Sequence, residues 1–441
     1  MTKTIILPSC DDGNRGDQAL VWQTRQVAKD AGLADECYML TEDLCSAPQS
    51  ESLGIGLLAP VLSHPSKWYA PKSNLSYGKM LYAIWGIISI VDGVRCALFL
   101  FEPTRRIFGF LLTKEERKTI SQIKTADACF VKGGGFIHST NSLSDPYKSY
   151  FFMYHLMLAQ SLKTPVFVMP NSYGPFEGAF FQSIVKRVLN RCELVTARES
   201  VSKDMLGAIG VESTVFPDLA FGLKSERPAE PYFKALRELH PGREVVGITA
   251  RPYRFPNSDN PVEAYENYIE ELRKFCREIF EKGYLPVLIE HVVSGGEHES
   301  DIAAIELLAS KLDKGTFEIF QDRSLNAKQM KALYAECDYL VGTRFHSVIF
   351  AMSELTPAIA IGYGGNKSQG IMRDVGCPGR VLPIEEMNAE ILLSMFEDLI
   401  KDTESEKFLN QLVESSAIKN QELIKLVRSK FYSRGRRYLF S

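Results

Sequence analysis

An excess of charge of either sign is missing from this chain: 441 residues carry a formal net charge of only −3. Gripping nucleic acid takes a basic face that neutralises phosphates, so no nucleic-acid partner is expected. None of the nine cysteines stands in a Cys-x-x-Cys pair, and their number is odd. They read as reduced, mostly buried small side chains, which argues against a disulfide framework or a zinc site and points to the cytosol. A signal-peptide core is lacking too, because residues 1–7 read as a strand cut short by Pro8. In the most apolar segment, the longest uncharged run is 80–91, well short of the roughly 20 residues that a spanning helix needs. Internal repeats and low-complexity tracts are absent.

What is present is the composition of a soluble globular protein, 45% hydrophobic and 24% charged, long enough for two domains. Strands alternate with helical stretches, the pattern of parallel α/β layers. In the first half, strands are expected at 4–9, 128–132, 165–169, 193–196 and 213–216, and helices at 18–30, 148–162, 179–190 and 201–206. After a charged, proline-containing linker near 224–230, strands follow at 245–250, 285–290, 317–320, 338–341 and 358–361. Helices at 262–281, 302–312, 327–335 and 348–353 separate them. The expected fold is α/β: two Rossmann-like domains facing a central cleft, residues 1–225 and 231–400, then a C-terminal helix and basic tail over 401–441. A helical insertion about 42–115 interrupts the first domain.

Chemistry concentrates where strands end. Residues 339–352 run from a strand through Gly342-Thr343-Arg344-Phe345-His346 into a helix, which places an arginine and a histidine at the carboxyl end of a sheet, where α/β proteins bind ligands. A guanidinium offers a planar fork to carboxylate or phosphate, and imidazole exchanges a proton near neutral pH. The next strand opens into Gly362-Tyr363-Gly364-Gly365-Asn366-Lys367, delivering a lysine at another helix start. Earlier, Asp11-Asp12-Gly13-Asn14-Arg15-Gly16-Asp17 follows the first strand with neither the G-x-G-x-x-G spacing of a dinucleotide site nor a Walker loop. Lys132-Gly133-Gly134-Gly135 leads to His138, three glycines that let a ligand approach the backbone. Thr196-Ala197-Arg198 places a further arginine at a strand end, with Glu199 and Ser202 expected to cap the following helix. Glu290-His291 and 295–299 suggest metal chemistry, but their spacing matches no H-E-x-x-H pattern.

Two segments stand outside the alternation. Residues 79–112 read either as a buried helical insertion or as an amphipathic helix on a membrane surface. The tail interleaves Lys425, Arg428, Lys430, Arg434, Arg436 and Arg437 with Phe431, Tyr432, Tyr438 and Phe440. It reads either as a solvated helix end or as a patch drawn to anionic headgroups.

The order of these elements carries a resemblance. Gly-Asn-x-Gly-Asp-x-Ala-Leu, Lys-Gly-Gly-Gly, Asn-Ser-Tyr-Gly-Pro, Ala-Arg-Glu-x-x-Ser, Pro-Asp-Leu-Ala-Phe, Thr-Arg-Phe-His-Ser and Tyr-x-x-x-Lys-x-x-Gly-Ile-Met, from about Asn14 to Gly376, together resemble the polysaccharide pyruvyl transferase family. The chain departs from the family at Phe345, where many members carry a smaller aliphatic residue, and in the turn before Lys367, more usually Asp-Pro-Lys. The resemblance implies a fold similar to GT-B glycosyltransferases. It also implies transfer of the pyruvyl group of phosphoenolpyruvate to two hydroxyls of a sugar, giving a cyclic ketal and phosphate. By match to the family's motifs, Arg198, Arg344, His346 and Lys367 would hold phosphoenolpyruvate. His346 would be the acid, and Asp17, His138 or Asp218 the base. Asn14, Asp17, Gly134, Gly135, His138, Asn171 and Asp218 would lie on the acceptor side. No cofactor beyond the co-substrate phosphoenolpyruvate and no metal enters this scheme. The expected partners are phosphoenolpyruvate, a sugar acceptor (lipid-, nucleotide- or polymer-linked) and a membrane surface, with the protein cytoplasmic or peripheral on the inner face of the cell membrane. The rival readings are a nucleotide-sugar glycosyltransferase and a non-catalytic carbohydrate-binding relative.

Overall fold

The computed structural model describes residues 1–69, 79–140, 145–227, 232–293, 300–364 and 367–439. Residues 295–299, Gly365, Asn366, Phe440 and part of the 224–230 linker lie outside the described residues. The chain divides into two compact units. Unit 1 comprises residues 1–12, 20–219 and 418–441, and unit 2 comprises 13–19 and 220–417.

Unit 1 is a wholly parallel sheet of β1 (Lys3–Leu7), β2 (Glu36–Leu40), β3 (Ile55–Leu58), β4 (Ala128–Val131), β5 (Gly134–Ser139), β6 (Val166–Phe176), β7 (Leu194–Ala197) and β8 (Thr214–Val215). Its order is β3-β2-β1-β4-β6-β7-β8, with β5 paired to β6 off that path. The sheet is covered on both faces, so its central strands are continuously buried. Side chains alternate between two cores. Ile5, Leu7, Cys129, Val131, Val166 and Val168 enter one core, while Ala128, Phe130, Phe167 and Met169 enter the other. That second core also takes Leu20 and Val27 of the helix Arg15–Asp30, and Leu423, Ile424 and Val427 of the helix Ser405–Leu439.

This last contact changes the expected boundaries. Residues 401–441 do not form a separate appendage, because the buried apolar stripe of the last helix joins residues 418–441 to unit 1. Each such side chain contributes roughly 2 kcal/mol. Arg428 donates to the carbonyls of Asp30 and Ala31 at the end of the helix Arg15–Asp30, the structural alternative for that cation. The 42–115 insertion is also only partly helical. It contains β3, a four-residue strand with a glycine at its second position, too short to show a period.

Unit 2 is built from β9 (Glu244–Thr249), β10 (Tyr284–Ile289), β11 (Glu318–Phe320), β12 (Tyr339–Gly342), β13 (Ala358–Gly362) and β14 (Val381–Pro383). All are parallel, in the order β11-β10-β9-β12-β13-β14, the doubly wound arrangement. The helix Pro261–Glu281 buries Tyr268, Ile269, Leu272, Phe275, Cys276 and Ile279, a stripe of helical period, against β-strand residues Val246, Ile248, Leu288 and Val341. Strand order reverses between β9 and β12, and the crevice at their carboxyl ends is where this architecture takes ligands.

Candidate active site

The turn after β12 is fixed by its neighbour β9. Thr343 N donates to Thr249 O (2.9 Å) and Arg344 N to Thr249 Oγ1 (3.3 Å). Ser347 Oγ lies 3.0 Å from Thr249 Oγ1 and donates to Arg344 O at 2.6 Å, and Tyr268 OH lies 2.9 Å from Thr343 Oγ1. With the backbone held, the buried Arg344 side chain donates through Nε to Asp301 Oδ1 at 2.7 Å. Asp301 is fully buried, and its Oδ2 accepts from the amides of His291 (3.1 Å) and Val292 (2.9 Å) at the end of β10. One carboxylate thus ties together the ends of β10 and β12. Burial pushes the Asp301 carboxyl up, while the Arg344 charge and the Val292 amide oppose that shift.

His291 is only 1% exposed, and its Nδ1 lies 2.9 Å from Tyr334 OH. Its other ring nitrogen, Nε2, is buried and has no hydrogen-bond partner among the described residues. Burial holds the ring well below the usual imidazole range, and the charges of His346, Arg344 and Arg15 act in the same direction. Burial and the nearby Arg344 and Arg15 guanidinium groups thus both disfavour the charged form of His291.

His346 is the second residue of the helix Phe345–Ser353 and is half-buried. Its ring lies against Gly16, where an added Cβ would stand 2.5 Å from the imidazole Cγ and 2.8 Å from the His346 Cβ. Only glycine permits that approach. The segment 13–19 belongs to unit 2 for the same reason, with further links supporting it. Asn14 forms an antiparallel bridge with Val292, and Val293 N donates to Gly13 O at 2.8 Å. Arg15 Nη2 donates to Arg323 O (2.7 Å), and Ala327 N donates to Gln18 Oε1 (2.6 Å).

Asn14 starts the helix by accepting from the amides of Gly16 (3.1 Å) and Asp17 (3.2 Å), and its amide donates to Asp17 Oδ2 at 3.3 Å. Asn14 and Asp17, expected on the first domain's acceptor side, therefore sit with His346. At the end of β9, Arg251 stacks on the Tyr363 ring, its guanidinium carbon 4.0 Å from the centroid. Burial would raise the Tyr363 hydroxyl, but the charges of Arg251 and Arg344 hold it below its ordinary value. Lys367 is half-buried and opens the helix Lys367–Asp374 beyond β13.

The expected residues of unit 1 are placed differently. Arg198 is buried, and its Nη1 meets Asp218 Oδ2 at 2.7 Å while its Nε donates to Ser172 Oγ at 2.7 Å. Glu199 Oε2 lies a further 3.6 Å from Arg198 Nε and accepts from Ser172 Oγ at 2.9 Å. An arginine expected on phosphoenolpyruvate and an aspartate expected on the acceptor are thus partners of each other. Glu199 makes no side-chain cap on the helix Ser200–Ala208, contrary to expectation, because its carboxylate accepts from Ser172 and Ser202 instead. Gly134 and Gly135 open β5, and His138 is exposed further along that strand. Asn171 is 1% exposed and its amide donates to Lys132 O (2.9 Å) and Met169 O (2.7 Å), fastening β6 beside β4.

Sequence reasoning missed Arg251 and Asp301, read Glu290-His291 only as a metal candidate, and gave Arg15 no role. Arg251 follows β9 as Arg344 follows β12, so the strand-end rule applied to β9 would have found it. Asp301 carries no spacing signal.

A family model described as polysaccharide pyruvyl transferase matches residues 14–365. The amylovoran biosynthesis protein AmsJ of Erwinia amylovora is 27% identical over 305 residues, covering 67% of this chain and 71% of that protein. Among solved structures, a putative UDP-N-acetylglucosamine 2-epimerase from Listeria monocytogenes is similar at a TM-score of 0.58 and 11% identity, over 98% of this chain and 97% of that one. UGT73P12 from Glycyrrhiza uralensis, complexed with glycyrrhetinic acid 3-O-monoglucuronide, is similar at 0.54 and 11%, over 100% and 98%. At such identities these likenesses show the fold alone, and that fold is of GT-B type.

Proposed function

The chain belongs to the polysaccharide pyruvyl transferase family, and from that premise we propose that it moves the pyruvyl group of phosphoenolpyruvate onto two hydroxyls of a sugar, closing a cyclic ketal and releasing phosphate. The observation that carries this reading is the charge at the carboxyl ends of β9, β10 and β12. Arg251 and Arg344 act on the buried carboxylate of Asp301, Arg15 and Arg344 lie near the buried His291, and Arg323 pairs with the buried Glu290 beside it. A carboxylate and a phosphate on one small molecule match such an excess of guanidinium.

In this scheme Arg344, aligned by Asp301, and Arg251, braced on Tyr363, bind the two anionic ends. His291 Nε2 is a neutral ring nitrogen able to meet a ligand oxygen. His346 gives its proton to the methylene carbon as the C=C π pair forms the new C–H bond, which leaves C2 electrophilic. The first sugar hydroxyl then adds to C2 and loses its proton to a base. Asp17, one helical step from Gly16, is the candidate closest in sequence to the His346 contact. Phosphate next departs with the C–O bonding pair, and the second hydroxyl adds to C2 and loses its proton to close the ketal. No redox cofactor enters the scheme. Lys367 is assigned to the phosphate side by its place beyond β13, and Arg198 to a supporting ion pair in unit 1.

The test is incubation with phosphoenolpyruvate and galactose-, glucose- and mannose-terminated acceptors, following phosphate release and acceptor mass. Phosphate release coupled to a pyruvyl ketal on one acceptor is the expected result. Thermal stabilisation by nucleotide sugars but not by phosphoenolpyruvate would instead favour a glycosyltransferase.

A further inference from the structure

We propose that the helical face formed by residues 79–111 of unit 1 is a bilayer-contacting surface that lies in the headgroup–acyl boundary of an anionic leaflet. The helix Lys79–Ala97 is arranged inside out. Its outward face presents Met80, Tyr82, Ile87, Ile90, Val91 and Val94, from 57% exposed at Tyr82 to 74% at Met80. Ala83 and Gly86 complete that face, so from Met80 to Val94 no charged side chain points outward. Beyond Lys79 at its first position, the charges of this helix point the other way. Asp92 is buried, and Arg95 turns inward to pair with Asp92 (2.7 Å) and Glu116 (2.8 Å) and to donate to Val61 O at 3.0 Å.

In water the favourable arrangement is the reverse, with apolar groups inside and charges outside. A helix that hides Asp92 and Arg95 and exposes its aliphatics matches surroundings that are themselves apolar. Phe101, Ile107 and Phe110, in and flanking the helix Glu102–Phe108, are exposed as well, more than the scattered exposed apolar residue that needs no explanation.

Three observations select a lipid surface as the occupant. First, the stretch Lys79–Leu100 is long enough to cross a bilayer and holds an 18-residue window of mean hydropathy 1.8, yet 22% of that window is buried. Tyr150 OH holds Gly93 O at 3.1 Å and Tyr154 OH holds Cys96 O at 3.2 Å, so one side of the helix is fixed to protein. A helix anchored along one side can lie in an interface but cannot be surrounded by lipid. Second, exposed aromatic rings of Trp68, Tyr69 and Tyr82 belong to the N-terminal approach and first turn of this helix, the side-chain type enriched at headgroup depth. Third, within 79–111 the exposed charges are Lys79 and Arg106 against Glu102, and the helix that follows in sequence begins with the exposed Lys114, Arg117 and Lys118 against Glu115, a cationic balance that complements an anionic leaflet rather than a second copy of the same surface.

The experiment uses the full chain and sedimenting vesicles of phosphatidylcholine, with and without phosphatidylglycerol. The wild type is expected to pellet with the phosphatidylglycerol vesicles. The double variant Ile87→Glu, Ile90→Glu is expected to lose about tenfold or more in partitioning, with circular dichroism and thermal midpoint unchanged because both positions face outward. If the double variant misfolds, Phe110→Glu tests the same surface from the neighbouring segment. Equal partitioning of wild type and variants would overturn the proposal, as would failure of the wild type to bind either vesicle. So would a wild-type dimer that the same substitutions convert to monomer, which would make a second copy the occupant.

Discussion

Replacing Gly16 by alanine sets two effects against each other, and the structure decides between them. Gly16 lies in the first turn of the helix Arg15–Asp30, where glycine costs up to about 1 kcal/mol relative to alanine, so propensity alone forecasts a more stable protein. The new methyl group, however, would stand 2.5 Å from Cγ of His346, where carbon atoms settle at about 3.5 Å. The imidazole or the helix turn must therefore retreat by about 1 Å. Overpacking of this kind costs about 1–3 kcal/mol, so the net change in stability is a loss of between zero and about 3 kcal/mol. The effect on turnover is larger, because a misplacement of about 1 Å in a reacting group costs on the order of a hundredfold in rate. With His346 as the acid, Gly16→Ala should lower kcat for phosphate release about a hundredfold while phosphoenolpyruvate still stabilises the protein in a thermal shift. His346→Gln is the reference for complete loss. A Gly16→Ala enzyme that keeps its turnover would refute the placement of His346 at the reacting carbon.

Arg344→Lys keeps the charge but loses the Nε contact to Asp301. Phosphoenolpyruvate affinity, read by isothermal calorimetry, should weaken about tenfold or more, and an unchanged affinity would remove Arg344 from the donor site. Asp301→Asn removes the carboxylate that accepts from Arg344 and two amides, so chemical denaturation should show a loss of about 3 kcal/mol, with a smaller thermal shift from phosphoenolpyruvate. His155 is fully buried and burial brings its ring down to about 3, with Nε2 accepting from Val61 N at 3.0 Å. Because its folded value lies below the unfolded one, the unfolded chain binds more protons, and stability falls as pH drops from about 6.5 towards 3. His155→Gln keeps an acceptor for Val61 and should flatten the difference in unfolding free energy between pH 7 and pH 5 by about 2 kcal/mol; an unchanged slope would show that the histidine does not resist protonation.

The alternation of strand and helix was legible because parallel strands buried on both faces read as short apolar runs between periodic helices. Val245 to Ala250 and Ala358 to Ile361 are such runs. Strand β3 was not legible, since Ile55-Gly56-Leu57-Leu58 is too short to separate strand from helix. The placement of candidate residues was legible wherever local sequence sets a side chain at a strand end, as with Arg344 and His346 after β12. Their roles were not legible where burial and partner decide them. Nothing in Ala197-Arg198-Glu199 announces that Asp218, twenty residues on, neutralises the guanidinium. Nor does sequence distance announce that Gly16 meets His346. The grouping of residues 13–19 with unit 2 depends on contacts with Val292, Arg323 and Ala327 that lie more than 270 positions away.

The same distinction decides which strand-end arginines belong to a donor site. Position alone makes Arg198 and Arg344 equivalent, since each follows a parallel strand and is more than nine-tenths buried. Their partners separate them. Arg198 has Asp218 at 2.7 Å and Glu199 at 3.6 Å, so its surroundings carry more negative charge than its own guanidinium supplies. A dianionic or trianionic ligand brought there would meet two carboxylates at close range, and repulsion between desolvated like charges disfavours it. Arg344 pairs with the Asp301 carboxylate, and the Arg251 charge also acts on that carboxylate, so two guanidinium groups bear on one buried acid. Burial disfavours the charged form of His291 there, so the ring offers a polar nitrogen with little tendency to add to the repulsion among the cations. The consequence is measurable: Arg198→Met should cost stability far more than phosphoenolpyruvate affinity, and Arg251→Met the opposite. If both variants lost affinity equally at unchanged stability, the assignment of the donor to unit 2 alone would fail.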